Sequence, residues 1–239
     1  MEIIEIKNNQ YDIEKFKMRN DCIIKNVYPP LPSFYGFFLI ICGVPNSGKT
    51  NLLMNIIKKS KKKNTYYRQF DKVYMFSNSL HTIQKDIMIP KKQLFNGIDE
   101  LEEVIENIKI DTDSQNLIIL DDVISDISNL EYVEKLIYNR RHLGSSVSII
   151  LTTQVFNKIN LKIRKCASTI IIFSTSNKLE LESIWKCSIP ILSYKQFLAI
   201  CKFCFKKDNH QFLCIDVQNN LFYHGFNLLK FKNDDEVDI

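Results

Sequence analysis

The chain has 239 residues, 45% hydrophobic and 25% charged, enough to bury a full core in one domain without disulfide or metal staples. Its net charge of +5 permits an anionic partner such as nucleic acid without demanding one, because Asp234, Asp235, Glu236 and Asp238 offset basic clusters elsewhere. The apolar runs are shorter than the ~18 to 20 residues of a membrane span, Met1 to Glu5 carries acids where a basic leader would sit, and seven scattered cysteines read as reduced thiols, so a soluble intracellular protein is expected.

Residues 1–35 form an N-terminal extension, with a short helix at 11–16 and an extended connector at 28–32, where each proline restricts the residue before it. A buried strand is predicted at 37–42. Gly43-Val44-Pro45-Asn46-Ser47-Gly48-Lys49-Thr50 follows, matching the phosphate-binding pattern G-x-x-x-x-G-K-[ST], and a helix with an apolar face spans 51–58. After a basic connector at 58–68 come a strand at 72–76, a loop rich in Lys and Pro, and an amphipathic helix at 98–110 carrying Leu101, Val104, Ile105 and Ile108. A strand at 116–122 ends in Asp121 and Asp122. A helix at 129–141 leads to a strand at 146–151, which ends in Thr152, Thr153 and Gln154. A strand at 169–173, a helix at 193–206 and a hairpin from 211–217 and 221–225 around Asn219-Asn220 complete the order. Continuous apolar strands alternating with helices predict an α/β fold, a mainly parallel sheet with helices on both faces and a C-terminal β-hairpin. The domain spans 36–227, and an acidic tail spans 228–239.

The glycine loop predicts a nucleoside triphosphate ligand. Backbone N–H groups around such a loop converge on one concavity, and the following helix adds its N-terminal donors and the positive end of its dipole. Gly43 and Gly48 allow close approach, Asn46 tolerates a left-handed conformation, and Pro45 donates no N–H. The cradle therefore rests on the amides of Asn46, Ser47, Gly48, Lys49, Thr50 and Asn51. Lys49 reaches the β and γ phosphates, and the Thr50 hydroxyl takes Mg²⁺.

Ligands of an open parallel sheet sit beyond the carboxyl ends of its strands, where this chain has the loop, Asp121-Asp122 and Gln154. A carboxylate ending an apolar strand needs a partner, so Asp121 is the candidate for the nucleotide's Mg²⁺. Asp122 is placed to polarise a water for attack on the γ phosphate, and Gln154 to orient it. Arg140, Arg141 and Arg164 are the candidates for stabilising transition-state charge, although Arg140 and Arg141 also suit a helix C-terminus.

With Ile118-Ile119-Leu120-Asp121-Asp122, Arg140-Arg141-His142, Ser148 to Gln154 and Ile163-Arg164 in this order behind the glycine loop, residues 36–175 resemble the genome-packaging ATPases of poxviruses, giant viruses and virophages, within the FtsK-HerA class of DNA-pumping motors. The resemblance implies a RecA/ASCE-like P-loop NTPase, a homo-oligomeric ring of five or six subunits, ATP hydrolysis with Mg²⁺, and translocation of double-stranded DNA into a preformed capsid. It implies Lys49 and Thr50 on phosphate and Mg²⁺, Asp121 on the metal, Asp122 on the attacking water and Gln154 on the γ phosphate. It further implies host cytoplasm at viral assembly sites, association with the virion, and a capsid vertex protein as partner. Many related motors carry Glu where this chain has Asp122, and the shorter carboxylate suits action through a second water.

Several other readings compete. Asn177-Lys178-Leu179-Glu180 is similar to the guanine-reading N-K-x-D signature but ends in Glu, and no D-x-x-G accompanies Asp121. A small-molecule kinase would share the loop and the sheet, and a nucleotide-gated assembly protein would bind without much turnover. Lys58, Lys59, Lys61, Lys62, Lys63, Tyr66, Tyr67 and Arg68 mix basic and aromatic groups suited to DNA phosphates, with Lys91, Lys92, Lys158, Lys162 and Lys165 as other basic surfaces. Cys201, Cys204, His210 and Cys214 could be counted as zinc ligands, but buried thiols acting as small apolar residues account for them better.

Overall fold

The computed structural model describes residues 22–58, 65–82, 89–123, 131–189, 192–205 and 210–231. The helix expected at 11–16, Lys59, Lys61, Lys62 and Lys63, and the acids of the tail lie outside the described residues. The strands are β1 (Phe38–Cys42), β2 (Lys72–Ser77), β3 (Leu94–Asn96), β4 (Gln115–Asp121), β5 (Ser146–Thr153), β6 (Thr169–Phe173), β7 (Phe212–Asp216), β8 (Leu221–His224) and β9 (Asn227–Leu228). The described helices are α1 (Lys49–Ile57), α2 (Leu101–Ile110), α3 (Glu131–Asn139), α4 (Leu161–Arg164), α5 (Lys178–Ser188) and α6 (Tyr194–Cys204).

Among the described residues the strands form one nine-stranded sheet in the order β3-β2-β4-β5-β1-β6-β7-β8-β9. The first six run parallel, and β7, β8 and β9 add antiparallel pairs as the expected hairpin and a short third strand. Central strands buried on both faces explain the unbroken apolar runs of the sequence: every residue of β1, β5 and β6 is buried. Each fully buried Leu, Ile or Phe contributes about 1.5–3 kcal/mol relative to staying exposed.

The alternation of β1 divides the core. Phe38, Ile40 and Cys42 face a cluster completed by α2, α3, α5 and α6, whose buried residues include Leu101, Val133, Ile184 and Phe197. Leu39 and Ile41 face a second cluster with Leu52, Leu53 and Ile56 of α1. This second face is otherwise covered by irregular chain. Ile24, Val27 and Leu31 fold over it, Ile24 N–H donating to Ser33 O at 2.8 Å, and Tyr66 is stacked on Phe37 at 5.0 Å.

Three local expectations change. Residues 28–31 make a turn rather than an extended connector: Leu31 N–H donates to Tyr28 O at 3.1 Å, and Leu31 is buried in the second core cluster. α5 is a helix in a stretch where the sequence reading placed no element. β3, only three residues long, joins the sheet edge in parallel with β2, too short to leave an alternating pattern. Elsewhere boundaries moved by a few residues. Ser193 caps α6 in a reciprocal box with Gln196.

Candidate nucleotide-binding site

The loop between β1 and α1 stands at the carboxyl edge of the sheet. Gly43 N–H donates to Thr153 O at 3.1 Å, tying the loop's first residue to the end of β5. A Cβ at Gly43 would lie 2.6 Å from Ser47 Oγ and 2.7 Å from Phe173 Cβ, so only glycine fits. Asn46 (φ 62°) and Gly48 (φ 102°) take the left-handed turns that curl the backbone before the helix. Lys49 is buried and arches back over the loop, its Nζ donating to Gly43 O at 2.6 Å and Val44 O at 3.1 Å. Burial pushes its pKa down, opposed in smaller part by Asp122 and Asp121. Thr50 and Asn51 are exposed at the first turn of α1, Val44, Pro45 and Asn46 are exposed on the loop, and Ser47 Oγ is buried without a hydrogen-bond partner.

Strand register builds the acidic side. Ser77 lies opposite Asp121 across β2 and β4, and Asp121 lies opposite Thr152 across β4 and β5. Thr152 Oγ1 donates to Asp121 Oδ1 at 2.7 Å and Ser77 Oγ to Asp121 Oδ2 at 3.0 Å, fixing a carboxylate that is only 2% exposed. Its two hydrogen-bond partners here are neutral hydroxyls. A hard, oxygen-ligated cation such as Mg²⁺ fits this carboxyl group together with the exposed Thr50 hydroxyl. Asp122 then turns out of the strand at φ 54°, its N–H donating to Thr152 Oγ1 at 3.0 Å, and Gln154 Nε2 donates to Asp122 Oδ2. Asp122 and Gln154, 32 residues apart, are thus joined.

The arginines are not brought to this edge within the chain. Arg140 spans the amino side of the fold, its Nε donating to Gly36 O at 2.8 Å, Nη1 to Ile137 O at 2.7 Å and Nη2 to Cys166 O at 3.1 Å. Its five N–H groups are largely committed to backbone carbonyls, and burial lowers its pKa; a structural clamp replaces the catalytic role expected of it. Arg141 is exposed beside Gly36. Arg164 donates to Ser183 Oγ and lies over the Phe156 ring at 5.1 Å.

Sequence reasoning missed the groups that hold the site from behind. Thr152 stood in the strand end it had noted, but its tie to Asp121 depends on register, as does that of Ser77. Glu180 is another: this buried carboxylate accepts from Phe156 N–H at 2.7 Å, Cys42 Sγ at 3.6 Å and Thr175 Oγ1 at 3.2 Å, joining the segments that follow β5 and β6 to the end of β1. Asn177 of the guanine-like signature caps α5 instead, accepting from Leu179 and Glu180 N–H. Tyr66, counted among DNA-facing aromatics, is buried, its hydroxyl donating to Pro32 O at 2.9 Å. Cys201 and Cys204 lie in the first core cluster and Cys214 in the second, on opposite faces of the sheet, so one metal cannot join them. Burial pushes the thiols up, Cys201 to about 12 and Cys204 to about 11, which keeps them protonated. His210 stands apart from all three, with Nδ1 3.1 Å from Ser47 O of the glycine loop.

No protein-family model matches the chain, and no curated protein matches its sequence. Solved structures do match its fold, a mixed α/β arrangement on a mainly parallel sheet. The structural neighbours include viral genome-packaging NTPases. The DNA-packaging ATPase B204 of Sulfolobus turreted icosahedral virus is 17% identical, with 83% of this chain and 99% of that chain covered at a TM-score of 0.56. B204 of Sulfolobus turreted icosahedral virus 2 in complex with ATPγS is 18% identical, with 81% of this chain and 98% of that chain covered at a TM-score of 0.53. Its complex with AMPPCP aligns at 17% identity and a TM-score of 0.56 over 81% of this chain and 98% of that one. Among the described residues no helix is long and apolar enough to cross a membrane.

Proposed function

We propose that the protein is an ATP-hydrolysing motor that translocates double-stranded viral DNA into a preformed capsid, working as a homo-oligomeric ring of five or six subunits. The observation that carries this reading is the convergence at one sheet edge of a lysine-closed glycine loop, the buried carboxylate of Asp121 and the joined pair Asp122–Gln154. The loop amides from Asn46 to Asn51 bind the phosphates, and Lys49 exchanges its two loop carbonyls for β and γ oxygens. Thr50 and Asp121 would hold Mg²⁺, which offsets phosphate charge when bound. Ser77 and Thr152 keep Asp121 oriented for that task. Asp122 accepts a proton from the attacking water, directly or through a second water, and Gln154 orients the water by the amide that now reaches Asp122. A cation from a neighbouring subunit, Arg141 or Arg164, completes charge stabilisation, an effect of roughly 10³ to 10⁵ in rate.

The fold of packaging ATPases supports the DNA substrate, as do the exposed lysines Lys58, Lys91, Lys92, Lys158, Lys162 and Lys165. Binding is to backbone phosphates without base readout, at viral assembly sites in the host cytoplasm and in association with the virion, with a capsid vertex protein as docking partner. Steady-state ATP hydrolysis with and without duplex DNA tests the reading. Stimulation by DNA that fades steeply with added salt is the expected result. A rate indifferent to DNA would assign the protein instead to nucleotide-gated assembly.

A further inference from the structure

At the carboxyl edge β1 is flanked by β5 and then β4 on one side, and by β6 and then β7 on the other. The groups proposed for the terminal phosphate, Asp121, Asp122 and Gln154, all belong to the β4 and β5 side. A triphosphate lying along the loop with its γ end there points its α phosphate and nucleoside the other way, across β6 toward β7. That side carries an aromatic ledge. Phe173 closes β6, and its Cε1 is 3.5 Å from where a Cβ on Gly48 would stand. Its ring meets Phe212 at 5.4 Å, and Phe212 meets Phe226 edge-on at 5.5 Å. Gly225 N–H donates to Phe212 O at 2.9 Å, holding the turn that bears Phe226 against the start of β7. Phe226 is 44% exposed, an unusual outlay of aromatic surface beside a phosphate loop.

His210 stands between ledge and loop. It is exposed, with Nδ1 3.1 Å from Ser47 O and 3.3 Å from the Cβ position of Gly48. Phe173 and Phe212 pack in the cluster that also holds Leu52 and Leu53, so the ledge lies on the same face of the sheet as α1.

We infer that His210, Phe212 and Phe226 form the subsite for the purine base of the bound nucleoside triphosphate. The inference rests on the triphosphate-binding reading of the glycine loop. Stacking suits this surface because every base has a π-face, and removing one aromatic partner from a stacked base weakens binding roughly 5- to 100-fold. The imidazole adds a second ring beside the loop, tied to the loop through the Ser47 carbonyl.

Calorimetric titration of the full chain with ATP and, separately, with inorganic tripolyphosphate tests this. His210→Ala and Phe226→Ala should each weaken ATP about tenfold while leaving tripolyphosphate unchanged, and Phe226→Tyr should retain wild-type affinity for ATP. Lys49→Ala should weaken both ligands. Unchanged ATP affinity in His210→Ala and Phe226→Ala, or equal weakening of both ligands, would overturn the base subsite while leaving the loop assignment in place. Failure of the unaltered protein to bind either ligand would overturn the loop assignment, and the base subsite with it.

Discussion

The two edges of the central sheet use polar residues in opposite ways. At the amino edge most polar groups satisfy one another: Arg140 clamps three carbonyls, Ser148 Oγ and Ser168 Oγ receive Gly36 and Phe38 N–H, and Gln115 bridges Ser145 and Ser146, while Asn116 Oδ1 is buried there without a partner. At the carboxyl edge Lys49 leans on two loop carbonyls, Asp121 is held by two neutral hydroxyls, and Ser47 Oγ is buried without a partner. A fold stabilised at one end can leave interactions at the other incomplete until a ligand arrives, because only the incomplete ones change when it binds.

Mutations at the two edges should therefore separate activity from stability. The largest effect on turnover is expected from Lys49→Ala, a loss of roughly 10²- to 10³-fold or more in ATP hydrolysis. Thermal stability should hold in that variant, since removing a buried ammonium also removes its desolvation cost; retained hydrolysis would refute the site. Thr152→Val removes both the donor to Asp121 and the acceptor of Asp122 N–H. Its kcat should fall about 10-fold or more with the Tm little changed, because register-held orientation is lost while volume is kept. Arg140→Ala tests the other edge: unfolding free energy should fall by about 2–4 kcal/mol as three carbonyls lose a charged donor. The specific activity of its folded fraction should stay near wild type at low temperature. Full stability with lost activity would erase the contrast and return Arg140 to catalysis.

The smallest effect is expected at Asp111, beside Arg140's edge. The Lys72 ammonium, at 2.6 Å, and the Ser114 hydroxyl hold its carboxyl well below the usual carboxylate range. A depressed folded pKa contributes stability above the unfolded value of about 4 and loses it as pH falls through the folded value. Asp111→Asn should thus be slightly less stable than wild type near neutrality, and denaturation curves of the two should converge in acid. A gap that widened on acidification would show that the pair does not stabilise the fold.

Much of this was legible in the chain itself. The strands at 146–151 and 169–173 announced themselves because burial on both faces demands largely apolar runs, and the glycine loop because its spacing is fixed by backbone geometry. α5 was obscured by a polar start, Asn177-Lys178-Leu179-Glu180, whose cap function shows only once the backbone N–H groups it accepts from are placed. Arg140 looked catalytic beside Arg141 because the carbonyl it holds at Gly36 lies 104 residues away. Tyr66 looked exposed in a basic run, yet its ring stacks on Phe37 in the core cluster that α1 shares.

The sequence by itself determined the parallel α/β core, the phosphate loop and the two acids ending β4, since these follow from local periodicity and fixed spacing. Only the tertiary structure decided which polar groups are consumed by the fold and which remain for a ligand. Strand register joined Ser77, Asp121 and Thr152, and the two sides of β1 separated Asp121 and Asp122 from the aromatic ledge with His210. Such pairings connect residues tens of positions apart, and the hydrogen bonds that form them depend on angles and ångströms that no local pattern of residues encodes.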